Sequence, residues 1–134
     1  MDVVDRLREV LSPFPSIRLA VLFGSLARDQ VRRWSDVDLG VVLDTDDRQL
    51  RLDIEVMVGR GLHRDTDLVD LRRAGPLLRF EVARDGIPVV ERDPDTWARF
   101  KERAMVDWWD WAPTARLFHR AAVARLRRKL GGQA

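Results

Sequence analysis

The sequence contains no cysteine among its 134 residues, which excludes a disulfide framework and any metal site built on thiolates. Histidine is also scarce: His63 and His119 are the only two, and their separation does not match a metal-binding pair. No apolar run approaches the roughly 20 residues that a membrane-spanning helix requires. The amino-terminal segment MDVVDRLREV is acidic and amphipathic, unlike a signal peptide. We therefore expect a cytoplasmic protein without membrane association.

The charge of the chain is nearly balanced, with 24 basic and 22 acidic residues and a net charge of +2. The whole chain thus has little attraction for a polyanion, and we expect no direct nucleic-acid binding. The segment 114–130 is the exception, because it carries six cations and no acid. Its pattern suits either a helix with a solvated basic face or a docking surface for an acidic partner, or for RNA held by that partner. The six cations are Arg116, Arg120, Arg125, Arg127, Arg128 and Lys129.

The apolar pattern predicts short strands alternating with helices, which indicates an α/β (α+β) fold. An apolar content of 46% in 134 residues is enough for one hydrophobic core. We therefore expect a single domain over residues 1–134, with a core over about 1–110 and a helical tail over about 112–130. Pro113 is expected to end the helix that precedes the tail. The predicted strands are 16–23, 37–44, 66–71 and 87–90, flanked by helices.

Two carboxylates, Asp36 and Asp38, stand at the start of the second predicted strand. Alternate residues of a strand face the same side, so we expect these side chains to project together. Neighbouring carboxylates repel unless a cation lies between them, and Mg²⁺ prefers carboxylate oxygens together with waters and substrate phosphates. A third acid from the next strand would complete a two-metal site. Asp67 or Asp70 can supply it, and the two lie on opposite faces of that strand.

The pair Gly24-Ser25 precedes these acids, with ten residues between the two motifs. Glycine tolerates strained backbone angles and allows another group to approach closely. Ser25 is expected to open a short helix through Leu26 and Ala27, whose free N–H groups would form a phosphate site with the serine hydroxyl. The acids alone would equally suit an acidic turn, but the combined pattern is expected only roughly 0.003 times by chance in such a chain. Together the motifs predict phosphoryl or nucleotidyl transfer.

The segment LFGSLARDQVRRWSDVDLGVV resembles the signature of the DNA polymerase β-like nucleotidyltransferases, in particular the minimal nucleotidyltransferase (MNT) group. TDLVDLRRAGPLLRFEVARDGIPVVE is similar to that family's third-acid strand, following helix and final strand. RAMVDWWDWAPTARLFHRAAVARL resembles the tail of MntA-like antitoxins of HEPN/MNT toxin–antitoxin systems, with Trp where Tyr or Phe is expected. The resemblance implies a small mixed sheet and an enzyme that transfers AMP from ATP to a hydroxyl of a cognate HEPN ribonuclease toxin, a tyrosine near its RNase motif.

Carried over residue by residue, the resemblance matches Gly24 and Ser25 to the pair that contacts the β- and γ-phosphates of ATP. One departure is Asp29, where many members of the family have glycine. An acid so close to a phosphate site is unfavourable, because it repels the phosphates. The path of this loop can therefore differ from the path in the family.

The resemblance also matches Asp36 and Asp38 to the ligands of two Mg²⁺ ions. Asp67 matches the third acid, because the family's acid is followed by two strand residues at the beginning of that strand. It would share one ion and take the proton of the attacking hydroxyl. Asp70 lies one register later and is interpreted as a structural or solvated acid.

Two other functions stay open at this level. A small-molecule nucleotidyltransferase of the aminoglycoside type would need a substrate pocket, and only the tail from about Thr114 remains to build one. A non-catalytic antitoxin would neutralise its toxin by binding alone, but intact acids at all three positions argue against a decayed site.

Overall fold

The computed structural model describes residues 2–27 and 36–131, which form four helices and four strands in alternation along most of the chain. The α/β class predicted from the apolar pattern is confirmed, and the strand ends differ from the prediction by about one residue. The elements are α1 (Val3–Leu11), β1 (Ile17–Phe23), β2 (Val37–Leu43), α2 (Arg48–Leu62), β3 (Thr66–Asp70), α3 (Pro76–Asp85), β4 (Ile87–Glu91) and α4 (Thr96–Gly131).

The four strands form one mixed sheet in the order β3-β2-β1-β4. Strand β1 runs antiparallel to both of its neighbours, β2 and β4. Strands β2 and β3 are parallel, and α2 supplies the crossover between them that a parallel pair requires. Pro88 lies in β4 at one edge of the sheet, the position in which strands tolerate proline.

The sheet is covered on both faces, each by one pair of helices. Strand alternation divides β2 between them: Val37, Leu39 and Val41 are fully buried on the face covered by α1 and α2. Gly40 and Val42 point to the opposite face, which α3 and α4 cover. The α1–α2 face buries Leu7, Leu11, Ile54 and Val58, and the α3–α4 face buries Val82, Ala83, Phe100 and Ala104.

Local signals account for the helix ends. The Asp47 side chain caps α2 by accepting a hydrogen bond from the Leu50 N–H at 3.1 Å. The same helix ends at His63, whose left-handed backbone (φ 53°) forms the cap. Helix α3 begins at Pro76 and ends before Gly86, which is the usual placement of proline and glycine at helix ends.

The predicted break at Pro113 is wrong, because α4 continues through this residue to Gly131. Proline removes the hydrogen bond that would reach the carbonyl of Trp109, one turn earlier. Both residues lie on the exposed side of the helix, with Trp109 78% exposed. Water can therefore satisfy the freed carbonyl, and the helix tolerates the proline.

Helix α4 is long but charged, and no helix in the described ranges is both long and apolar enough to cross a membrane.

Candidate nucleotide and metal site

Gly24 ends β1 in a conformation that only glycine adopts without strain, with φ at 74°. A Cβ atom at this position would stand 2.3 Å from Oδ2 of Asp38, closer than any real contact. The turn and the close approach therefore both require glycine. Glycine is expected here to allow strained backbone angles and close approach of another group, and in the structure the group that approaches is the Asp38 carboxylate.

Ser25 follows in a turn that covers Gly24 to Ala27, and this part of the chain is not helical. The predicted short helix through Leu26 and Ala27 is therefore wrong for these residues. The turn places the side chain of Leu26 in the core beside the α1–α2 face, where it is buried. Asp29, which the sequence analysis noted as a departure from the family pattern, lies outside the described residues.

Asp38 lies at the centre of the candidate site, on the second residue of β2. It pairs in register with Phe23 of β1 on one side and with Asp67 of β3 on the other. Neighbouring strands are about 4.8 Å apart, so Asp38 and Asp67 stand side by side at the start of a parallel strand pair. The fold thus brings together two of the three predicted acids and the predicted glycine.

The structure separates Asp67 from Asp70 by the face of β3 on which each lies. Leu68 packs against the α1–α2 core, and Val69 packs against the α3–α4 core. By alternation Asp67 shares the α3–α4 face with Asp38, whereas Asp70 lies on the other face. Asp70 is held there by Arg51 of α2 at 3.9 Å, and it accepts a hydrogen bond from the Arg72 N–H at 3.0 Å.

Asp36 is exposed and lies one residue before β2 begins, so strand alternation does not govern its direction. It borders a cleft of about 650 Å³ formed with the carboxy-terminal half of α2 and the residues that lead into β3. Across residues 2–27 and 36–131, no three His, Asp or Glu side chains stand close enough to hold a metal ion. The triad of Asp36, Asp38 and Asp67 as metal ligands therefore stays a prediction.

A second cleft, of about 350 Å³, opens directly on Gly24 and Asp38. Its far wall is the last turns of α3, with Glu81, Arg84 and Asp85. The sequence analysis missed these residues, because no local pattern shows that α3 crosses the end of β1.

Arg84 is the basic group of this cleft, and two contacts hold its guanidinium in place. It donates to Oδ2 of Asp85 from Nη2 at 2.8 Å and from Nε at 3.1 Å, and it lies 5.5 Å from the centre of the Phe80 ring. The hydrogen bond to Asp85 is the main cause of the raised pKa of Arg84. The arginine that lines this cleft is therefore ion-paired within α3, beside Glu81.

These features suit a phosphate-bearing ligand bound together with hard cations. The glycine turn allows a close approach, and the carboxylates offer the oxygen ligands that Mg²⁺ prefers. The arrangement is that of a site for transfer of a phosphoryl or nucleotidyl group.

Comparison with known proteins agrees with this geometry. Residues 5–95 match the family model described as Polymerase beta, Nucleotidyltransferase, a range that includes Gly24, Asp38 and Asp67. A curated relative, protein adenylyltransferase MntA of Shewanella oneidensis, is 37% identical over 73 residues, which are 54% of this chain and 52% of the relative. The chain thus spans about half the length of the curated relative that it matches.

Solved structures show the same fold over nearly the whole chain. A crystal structure of a toxin–antitoxin with AMP-PNP matches with a TM-score of 0.76 and 24% identity, over 89% of this chain and 98% of the other. A complex of tri-AMPylated Shewanella oneidensis HEPN toxin with MNT antitoxin matches with a TM-score of 0.70 and 24% identity, over 90% and 96%. At this identity the likeness is one of fold. Since the family model covers more than half of the sequence, the chain belongs to the Polymerase beta nucleotidyltransferase family.

Proposed function

We propose that this chain is a Mg²⁺-dependent protein adenylyltransferase that acts as an antitoxin by transferring AMP from ATP to a tyrosine hydroxyl of a cognate HEPN ribonuclease. One observation carries the proposal: Gly24 turns tightly against Asp38, and Asp38 stands in register with Asp67. The curated relative named protein adenylyltransferase and the complex that contains an AMPylated HEPN toxin support the same reaction.

Gly24 and Ser25 bind the β- and γ-phosphates of ATP in this proposal. The absent Cβ at Gly24 leaves the backbone open to the phosphates, and the Ser25 hydroxyl and N–H groups of the turn donate hydrogen bonds. A neighbour solved with the ATP analogue AMP-PNP supports ATP as the nucleotide. Arg84, across the cleft from the turn, is paired with Asp85.

Asp36, Asp38 and Asp67 would hold two Mg²⁺ ions. Two tests on this chain support the fit: the donors are all carboxylate oxygens, and Gly24 lacks the side chain that would press on Oδ2 of Asp38. When bound, Mg²⁺ neutralises charge on the triphosphate and lowers the pKa of the incoming hydroxyl.

The transfer balances as a single displacement at the α-phosphorus. The tyrosine oxygen forms a bond to the α-phosphorus, the bond to the bridging oxygen of the β-phosphate breaks, and pyrophosphate leaves with that electron pair. Asp67 accepts the proton of the hydroxyl, since it is exposed beside Asp38 on the face where the phosphates bind. The glycine turn keeps the triphosphate in line with the attack.

We also propose that residues 1–134 form a single domain, with a core over about 1–110 and a tail over about 112–130. A cytoplasmic location follows from the proposed substrates, because ATP and a ribonuclease toxin meet there.

The decisive experiment incubates the purified chain with ATP, Mg²⁺ and a cognate HEPN ribonuclease, and then measures the intact mass of the ribonuclease. The expected result is one or more added AMP groups, with none when EDTA replaces Mg²⁺. A stable complex without added mass would favour an antitoxin that acts by binding alone. Modification of an aminoglycoside, with the ribonuclease unchanged, would favour a small-molecule enzyme.

A further inference from the structure

The second half of α4 repeats the buried face of the first half but has no covering element among the described residues. In the first half, Phe100, Ala104 and Ala112 are at most 9% exposed, and Trp108 stacks on Phe80 with ring centres 4.8 Å apart. This face packs against α3 and the sheet.

Eighteen residues later, about five complete turns of a helix, the same spacing of apolar residues returns on the same side. We call these residues the tail stripe. Its members are Phe118, Ala122, Leu126 and Leu130. Here the large side chains are exposed: Phe118 and Leu130 by 68%, and Leu126 by 58%. A helix that keeps its apolar face after leaving its own core presents that face to another surface.

The charge around the tail stripe has one sign. The segment 114–130 carries six cations and no acid, and none of the six forms an ion pair within residues 2–27 and 36–131. Arg125 follows Phe118 by seven residues and Lys129 follows Ala122 by seven, so both cations border the stripe. The surface that covers the stripe must therefore be apolar at its centre and acidic at its edges.

This pattern discriminates between possible occupants. A second copy of the chain would bring two segments of like charge together with no acid between them, which opposes association. An RNA would neutralise the cations but would leave the apolar side chains of the stripe in water. A protein with an apolar groove edged by carboxylates satisfies both features, in the manner of a helix bound in a groove.

We propose that the tail stripe, with Arg125 and Lys129, is the surface on which this chain binds its acceptor protein through an apolar groove edged with acidic residues. The inference rests on the proposed function, in that the acceptor is the HEPN ribonuclease. Helix α4 is continuous, so its first half, packed on α3, connects the tail stripe rigidly to the cleft at Gly24 and Asp38. The tail extends roughly 27 Å beyond Pro113, at about 1.5 Å per residue, so an acceptor bound there must reach back to the cleft to present its tyrosine.

A matched pair of leucines tests the stripe. Leu126 lies in it, whereas Leu117 is nine residues earlier, about two and a half turns, and hence on the opposite side. The two side chains are 58% and 68% exposed. In a binding titration against the purified HEPN ribonuclease, Leu126→Ala is expected to weaken affinity by about tenfold or more, and Leu117→Ala by less than about twofold. AMP transfer at saturating ribonuclease is expected to stay at the wild-type rate in both variants.

The charged border is tested separately with Arg125→Gln/Lys129→Gln, which removes two cations and leaves the apolar stripe in place. Weaker binding with a shallower dependence on salt concentration is expected. Circular dichroism checks that each variant keeps its helix, and alanine and glutamine are both good helix formers.

Each outcome separates this inference from the proposed function. A wild-type chain that binds the ribonuclease but adds no AMP would overturn the function and leave the docking surface standing. Equal binding by wild type and Leu126→Ala would overturn the docking surface, whatever the transfer activity. The docking surface would also be overturned if the wild-type chain did not bind the ribonuclease. Two further results would overturn it: a dimer of the chain that dissociates in Leu126→Ala, or a Leu126→Ala variant that loses binding to single-stranded RNA and keeps its affinity for the ribonuclease.

Discussion

The two ends of β2 carry aspartates in opposite circumstances. Just after the strand, Asp44 accepts hydrogen bonds from Arg92 at 2.6 and 2.7 Å and from Arg18 at 2.8 Å, and the first of these pairings is the main reason that its pKa is lowered to about 2. Near the start of the strand, Asp38 touches the turn at Gly24, stands beside another carboxylate and faces an open cleft. An acid between arginines serves the fold, whereas an acid beside an acid at a cleft is placed for a ligand.

The largest expected difference between the two ends of β2 comes from removing the Asp38 carboxylate near the start of the strand. Asp38→Ala is expected to lower AMP transfer by roughly 10³-fold or more, since both the charge and the ligand oxygens are lost. A time course of intact mass measures the transfer, with Asp44→Asn as the matched control at the other end. If Asp38→Ala transferred AMP at the rate of Asp44→Asn, the functional difference between the two aspartates would be contradicted.

The next test replaces, one at a time, the two aspartates that lie on opposite faces of β3. Asp67→Asn is expected to reduce transfer by roughly 10²-fold, because the amide accepts no proton from the attacking hydroxyl. Asp70→Asn should leave transfer within about twofold, because Asp70 lies on the other face, near Arg51. Initial rates at saturating ATP measure both. Loss of transfer only in Asp70→Asn would reassign the third acid.

The glycine turn gives a third, smaller effect, measured on stability. Gly24→Ala must adopt a φ of 74° and bring its Cβ to 2.3 Å from Asp38, so we expect a loss of about 1–3 kcal/mol in the free energy of unfolding. Gly75→Ala is the matched control, because a Cβ there meets nothing within 4 Å and the φ of −71° is ordinary. Urea denaturation compares the two, and equal midpoints would mean that the turn carries no constraint.

The smallest expected effect is a pH-dependent change in stability at Asp44, just after the end of β2. The pKa of Asp44 is lowered to about 2 from 3.8, so its pairing with Arg92 stabilises the fold fully above about pH 4. This contribution is lost as the pH falls from about 4 towards 2 and the folded carboxylate becomes protonated. The stability difference between wild type and Asp44→Asn should therefore shrink over that range, as urea midpoints at several pH values would show. A difference that persists unchanged at pH 2 would contradict the pairing.

Much of the fold and of the candidate site was predictable because the signals are local. Apolar periodicity identified the strands and most of the helices, and the Gly-Ser and Asp-x-Asp spacing singled out Gly24, Asp38 and their neighbours. Two local predictions were wrong where the surroundings decided otherwise. Residues 24–27 form a turn in which Leu26 is buried, and solvent on the exposed side of α4 allowed that helix to pass through Pro113.

The sequence by itself determined the alternation of strands and helices, the glycine that a tight turn needs and the presence of acids at strand starts, since each depends on a few neighbouring residues. Only the tertiary structure decided that Asp67 and not Asp70 lies beside Asp38, that the end of α3 faces Gly24, and that Asp44 lies between two arginines. Those outcomes depend on which faces of distant elements pack together. Burial of the whole core selects that packing, and no short pattern encodes it.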